Sequence, residues 1–195
     1  MRKVPVVLAL VLFAAVIAGC SLEATKVPVG PVNLVKNGSF EDDMRHWSIS
    51  FPEGNKSVAI VTDRAYAGEK SVLVKKWSHG SSIGVGQRVY VTPGQRYRAT
   101  VWVQVENLSL DPASPADMND ARIRVQFFKG GEPGALVYSA QNEDTNGEWK
   151  QLVLDFTVPA DANDYVNLEL LLTRANGDAW FDDVVVVPLE DEEDQ

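Results

Sequence analysis

Residues 33–41, Asn33-Leu34-Val35-Lys36-Asn37-Gly38-Ser39-Phe40-Glu41, followed after a polar gap by Trp47, decide how this chain is read. Asn37-Gly38 is a turn pair that tolerates positive φ, and it delivers the apolar Phe40 beside the carboxylate of Glu41, so a turn here aims the acid. Near the other end, Ala179-Trp180-Phe181-Asp182-Asp183-Val184-Val185 sets two carboxylates in an aromatic and β-branched run that reads as a strand. Acids in such a run need partners.

Between these stretches the chain alternates. In residues 97–106 one face is Tyr97, Ala99, Val101, Val103 and Val105, and the other is Arg98, Thr100, Trp102, Gln104 and Glu106. That is the period of two of a half-buried strand. Residues 122–129 set Ile123, Val125 and Phe127 against Arg122, Arg124, Gln126 and Phe128, and residues 166–172 set Val166, Leu168, Leu170 and Leu172 against Asn167, Glu169 and Leu171. No convincing amphipathic helix interrupts the series. Asn146-Gly147 reads as a hairpin turn, Asn176-Gly177-Asp178 as a turn before the last strand, and residues 107–121 as the longest loop. The length suits one domain with a substantial core, too small for a module plus a separate catalytic domain. With 18 basic against 27 acidic residues the chain carries a formal net charge of −9. That balance argues against nucleic acid or an anionic lipid surface as the main partner.

The opening and closing stretches resemble the first and last strands of the CenC-type carbohydrate-binding modules of families 4, 9 and 22. The same pattern runs through Tyr66-Ala67-Gly68-Glu69-Lys70-Ser71-Val72-Leu73-Val74 and through residues 87–97 with Thr92-Pro93-Gly94-Gln95. It continues from Trp149-Lys150-Gln151 to Phe156-Thr157-Val158-Pro159. The resemblance covers residues 33–188. It implies an all-β fold, a jelly-roll β-sandwich of the galactose-binding-domain-like kind, with two antiparallel sheets in a single, monomeric domain. Val72 and Val74 match core positions, which sends Leu73, Lys75 and Trp77 outward; Trp47, Trp149 and Trp180 match structural positions and are expected in the core.

Two sites follow from the resemblance. Calcium takes hard carboxylate oxygens, and Glu41 with Asp182 or Asp183 would supply them where the family pairs its first and last strands. Backbone carbonyls of the turns at residues 37–38 and 68–71 would complete a structural site. The competing expectation is that these acids only accept backbone amides at strand ends. The second site is a sugar-binding face. A pyranose needs an aromatic platform with amide, guanidinium or carboxylate groups around it. Trp77 and Trp102 are candidate platforms, with Gln104, Arg122, Arg124, Gln126, Asn167 and Glu169 as hydrogen-bonding candidates. The ligand would be a polysaccharide or oligosaccharide.

Catalysis has little support. Glu106 and Glu169 are candidates to share a face, but a glycosidase needs two carboxylates flanking the scissile bond. His46 and His79 lack metal-ligand spacing, and no helix follows Gly84-Val85-Gly86 to make a phosphate-binding loop. The chain is therefore expected to be no enzyme.

Residues 1–19 read as a signal peptide, a basic start and a short apolar run ending in Ile17-Ala18-Gly19-Cys20. That ending has the pattern of a bacterial lipobox, which implies a lipid, diacylglycerol with palmitate-type chains, on Cys20. Cys20 is the single cysteine, so no disulfide forms within the chain. Residues 20–32 read as the lipidated cysteine and a tether, and residues 189–195 as an acidic disordered tail. The expected protein is exported and lipid-anchored to the cell membrane or outer membrane, where it binds polysaccharide or cell-wall glycan without catalysis. The rival expectations are a structural or adhesion lipoprotein of the envelope with a protein partner, and an accessory module of a glycoside hydrolase system.

Overall fold

The computed structural model describes residues 31–51, 56–115 and 118–190. The expected signal peptide, Cys20 and most of the tether lie outside these residues, as does the end of the acidic tail. Among the described residues ten strands are formed: β1 (Ser48–Ser50), β2 (Lys56–Val61), β3 (Ser71–Lys76), β4 (Ile83–Tyr90), β5 (Arg96–Ser109), β6 (Asp120–Lys129), β7 (Glu132–Gln141), β8 (Lys150–Thr157), β9 (Tyr165–Thr173) and β10 (Asn176–Pro188). They make two five-stranded antiparallel sheets, sheet I in the order β1-β4-β9-β6-β7 and sheet II in the order β2-β3-β10-β5-β8. The two pack into an all-β sandwich.

The alternation of the sequence becomes the core. Val101, Val103 and Val105 of β5 meet Ile123, Val125, Leu168 and Leu170 of sheet I, all fully buried. Each such side chain contributes roughly 1.5–3 kcal/mol by leaving water, so the strands are held chiefly by this layer. β10, in the middle of sheet II, needs an adjustment. Its register with β5 slips by one residue between Asp182 and Val185, and Asp183 has a φ of 50°. This bulge allows Phe181 and Val184, an odd number of residues apart, both to face the core.

The opening stretch docks on that strand. The Leu34 amide donates to the Val186 carbonyl (2.9 Å), the Val184 amide donates to the Gly38 carbonyl (2.9 Å), and Asn33 bridges the same edge. Gly38 is required for space rather than conformation: a Cβ there would lie 2.1 Å from the Val184 oxygen. The positive φ values belong instead to Asn37 (52°) and Phe40 (57°). The Asn37 side chain closes the turn on the Asp43 and Arg45 carbonyls, and its own carbonyl accepts the Trp47 indole N–H at 2.9 Å. Trp47 then packs against the fully buried Phe40.

Several features differ from the sequence reading. The turn at Asn146-Gly147 joins β7 and β8, which lie in different sheets, so it closes no hairpin. The turn before the last strand is Arg174-Ala175, and Asn176 already opens β10. The long loop shrinks to residues 110–119, because β5 extends to Ser109 and β6 begins at Asp120. β7 has no counterpart in the sequence reading; as an almost wholly exposed edge strand it carries no apolar alternation. Leu189 belongs to the domain rather than the tail: its amide donates to the Arg96 carbonyl and its carbonyl accepts from Gln95.

Candidate functional site

The eight candidate sugar-binding residues are not brought together. Register places Arg122 opposite Leu171, Arg124 opposite Glu169 and Gln126 opposite Asn167, all on the outer face of sheet I. Trp102 stands opposite Asp182 and Gln104 opposite Trp180, on the outer face of sheet II, with the core between the two groups. Trp77 follows the end of β3 and is exposed, with the Lys75 ammonium 5.9 Å from its ring.

The sheet II group packs on itself, with the Trp180 indole N–H buried and without a hydrogen-bond partner among the described residues. Tyr66 stacks on Trp102 and meets the edge of Trp149. Arg64 lies 4.0 Å over the Trp180 ring and pairs with Glu106 at 2.7 Å. Trp180 is therefore buried beneath an arginine on an outer face, not in the inter-sheet core where it was expected, and Trp149 is half-buried beside Tyr66. Glu106 and Glu169 emerge from different sheets and cannot flank one glycosidic bond.

The sheet I group forms a site. Arg124 Nε donates to Glu169 Oε2 at 2.8 Å, and Ser50 Oγ donates to Glu169 Oε1 at 3.3 Å. Arg122 forks onto Asp120 through two bonds of 2.6 Å, both side chains buried, while its guanidinium lies 3.9 Å over Tyr138. Gln126 is spent on the Gly134 and Ala135 carbonyls beside the β6–β7 irregularity. Gly84 and Gly86 of β4 stand opposite Leu171 and Glu169; Gly84 and Leu171 are buried, and the Ser50 and Glu169 side chains lie over Gly86. Next to it is a cleft of about 370 Å³ between β6, β7, the residues before β4 and the β9–β10 turn. Its rim includes Arg122, Arg124, Arg174, Tyr138, Leu136 and Thr173. Sequence reasoning missed the last four. Leu136 and Tyr138 lie on the unrecognised β7, and Thr173 and Arg174 sit where the turn had been placed too late.

The expected metal ligands are near one turn. Glu41 Oε1 accepts the amides of Glu69 (2.9 Å) and Lys70 (3.0 Å). Asp182 Oδ2 accepts those of Tyr66 (2.8 Å) and Ala67 (3.0 Å), and its Oδ1 accepts that of Asp183 (2.7 Å). It is Asp182, not Asp183, whose carboxylate takes that turn's amides. Burial pushes the Asp182 carboxyl up from its usual range, against the three amides, which pull it down. The Lys70 ammonium bonds the Glu41 carbonyl (3.0 Å) and Asp43 (2.7 Å). These are hard oxygens of the type calcium takes, but each carboxylate is already engaged with backbone amides. No group of three or more histidine, cysteine, aspartate or glutamate side chains is placed to share a metal among the described residues.

Residues 32–176 match the carbohydrate binding domain family CBM_4_9. The chain belongs to that family. Its domain is a non-catalytic carbohydrate-binding module, and solved structures share its fold. A family 16 carbohydrate-binding module is 23% identical with a TM-score of 0.57, the alignment covering 80% of this chain and 99% of that one. A family 61 module solved with β-1,4-galactotriose is 19% identical with a TM-score of 0.54, covering 81% and 99%. A family 22 xylan-binding domain is 18% identical with a TM-score of 0.56, covering 80% and 95%. Among curated proteins, the chain is 24% identical over 177 residues to the tRNA(Glu)-specific nuclease WapA of Bacillus subtilis subsp. natto, and 23% identical to the tRNA nuclease WapA of Bacillus subtilis strain 168. In each case 85% of this chain aligns with 7% of the relative. The CBM_4_9 domain thus matches a small part of those long proteins.

Proposed function

We propose that this protein is a lipid-anchored, non-catalytic glycan-binding protein that holds a polysaccharide or cell-wall glycan near the cell surface through the cleft of sheet I. The observation that carries this reading is the cleft itself, where Arg124, held by Glu169, and Arg122, held over Tyr138, present fixed guanidiniums on the rim. Such a site holds sugar without reacting with it, because among the described residues no aspartate or glutamate lines the cleft to act as acid or nucleophile. An open site of this kind is expected to bind in the micromolar to millimolar range, about 4–8 kcal/mol. Calorimetry against a glycan panel tests it: binding lost on Glu169→Gln supports the site, and binding to no glycan overturns it.

The anchor rests on the lipobox-like ending at Cys20. Labelling cells with a fatty-acid analogue checks it: label and membrane association should disappear with Cys20→Ser, and an unlabelled wild-type chain in the soluble fraction overturns the anchor. Calcium at Glu41 and Asp182 is part of the same proposal. A carboxylate offers about four lone-pair sites, so a cation on those left by the amides would clamp the turn at residues 66–70 onto β10. Melting should rise with millimolar calcium and fall back with chelator; unchanged melting overturns this role.

A further inference from the structure

The chain is acidic, with a formal net charge of −9, yet among the described residues the lining of the sheet I cleft contains three arginines and no aspartate or glutamate. Two of these arginines have carboxylates behind them, Asp120 for Arg122 and Glu169 for Arg124. Arg174 has no ion-pair partner among the described residues; its NH1 donates to Ser114 Oγ at 3.2 Å. The nearby Asp111 carboxylate feels the Arg174 charge but directs its oxygens to the Ala113 amide and the Ser114 hydroxyl.

Arg174 is also held in an unusual backbone. Its φ is 53° in the turn between β9 and β10, a conformation costing a non-glycine residue roughly 1 kcal/mol. The turn is fixed by the Ala175 amide on the Thr173 carbonyl (2.5 Å) and the Gly80 amide on the Arg174 carbonyl (3.2 Å). Beside it, Thr173 lines the cleft, and its hydroxyl is buried behind that lining without a hydrogen-bond partner among the described residues. An unpaired buried hydroxyl is costly, and a ligand oxygen at this end of the cleft would satisfy it.

The donor set narrows the ligand. A neutral pyranose presents hydroxyls that both donate and accept, and it stacks on a flat ring. Among the described residues the charged groups on the lining are guanidiniums, which only donate, and one face of the Tyr138 ring is taken by Arg122. A carboxylate, by contrast, only accepts and matches the guanidinium fork in a bidentate pair. We propose that the cleft takes an acidic glycan, a uronic-acid polymer whose sugar carboxylate is received by Arg174 beside the Thr173 hydroxyl. This rests on the glycan-binding reading above.

The test is calorimetry on the full chain in detergent with oligomers of galacturonate, mannuronate and glucuronate, the same oligomers with their carboxyls reduced to alcohols, and a sulfated neutral glucan. One acidic oligomer should bind at least about 10-fold tighter than its reduced form, and Arg174→Gln should remove most of that difference without moving the melting temperature. Equal binding of acidic and reduced forms overturns the acidic ligand while leaving glycan binding intact. Sulfated glucan binding as tightly as the uronate overturns the carboxylate assignment. Unchanged affinity in both Arg174→Gln and Thr173→Val overturns the placement. Binding to none of these sugars overturns both this inference and the glycan-binding reading. Bulk charge works against the expected result, since a protein of net charge −9 repels a polyanion.

Discussion

The ring of Tyr66 lies on Trp102 with centroids 4.0 Å apart and planes 12° from parallel. The face that Trp102 would offer a sugar is therefore taken by another residue of the same chain, on the sheet opposite the cleft. Trp102→Ala should act on stability rather than on binding. Loss of a fully buried aromatic costs about 3–5 kcal/mol; for this half-buried ring and its stacked partner we expect about 2 kcal/mol. Urea denaturation reads the loss, and calorimetry should find glycan affinity within about two-fold of wild type. Abolished binding with unchanged stability would return the sugar site to sheet II.

Arg124 and Glu169 make the second prediction. Their side chains are 19% and 10% exposed, so each relies on the other for most of its solvation. Removing one partner strands a largely buried charge, a loss of about 3 kcal/mol. Removing both leaves no orphan. Arg124→Leu and Glu169→Leu should each destabilise more than the double variant does, with a coupling of about 1–3 kcal/mol in a double-mutant cycle. Additive losses would mean the pair is screened by water. All three variants should bind glycan poorly.

Gly84 and Gly86 separate close packing from the shape of the site. A Cβ on Gly84 would lie 1.8 Å from the Leu170 carbonyl oxygen, so β4 and β9 must part to admit it. On Gly86 the nearest atoms are Ser50 Oγ at 3.1 Å and Glu169 Cγ at 3.2 Å, side-chain atoms able to shift. Gly84→Ala should therefore cost at least about 3 kcal/mol, and Gly86→Ala about 1 kcal/mol or less. Thermal melting orders them. Equal losses would show that β4 can move as a unit.

The core was legible because its signal is local. The alternation around Val101, Ile123 and Leu168 states which side chains leave water, and burial follows it residue by residue. The site was less so, because alternation separates inside from outside without saying which sheet a strand joins. Trp102 and Arg124 both read as outward, and only strand order puts them on opposite sides of the molecule. Glu169 and Arg124 were legible as polar residues but not as a pair, since register across 45 residues is not written in either strand alone. Tyr138 was missed because an exposed edge strand needs no apolar pattern. Arg174 was missed because the Asn-Gly pair that follows it looked like the turn.

The last prediction concerns Asp182, whose carboxyl is held above its usual range, chiefly by burial. A carboxyl raised on folding favours the folded state most when protonated. Its contribution is complete below the ordinary aspartate value of about 3.9 and is lost as pH rises through the raised one. Asp155, held low chiefly by the Arg98 hydrogen bonds, works in the opposite sense, so the overall curve does not isolate either group. The difference between wild type and Asp182→Asn does, because Asp155 is common to both. The asparagine has one acceptor oxygen where Asp182 uses two, so its NH2 must face a backbone amide at Asp183 or at residues 66 and 67. The variant should be about 1–3 kcal/mol less stable at acidic pH, and the gap should narrow as pH rises above the ordinary aspartate value of about 3.9 and wild type loses its protonated-state contribution. Urea midpoints across that range measure it. A gap that widens with pH would mean the amides outweigh burial and hold Asp182 ionised.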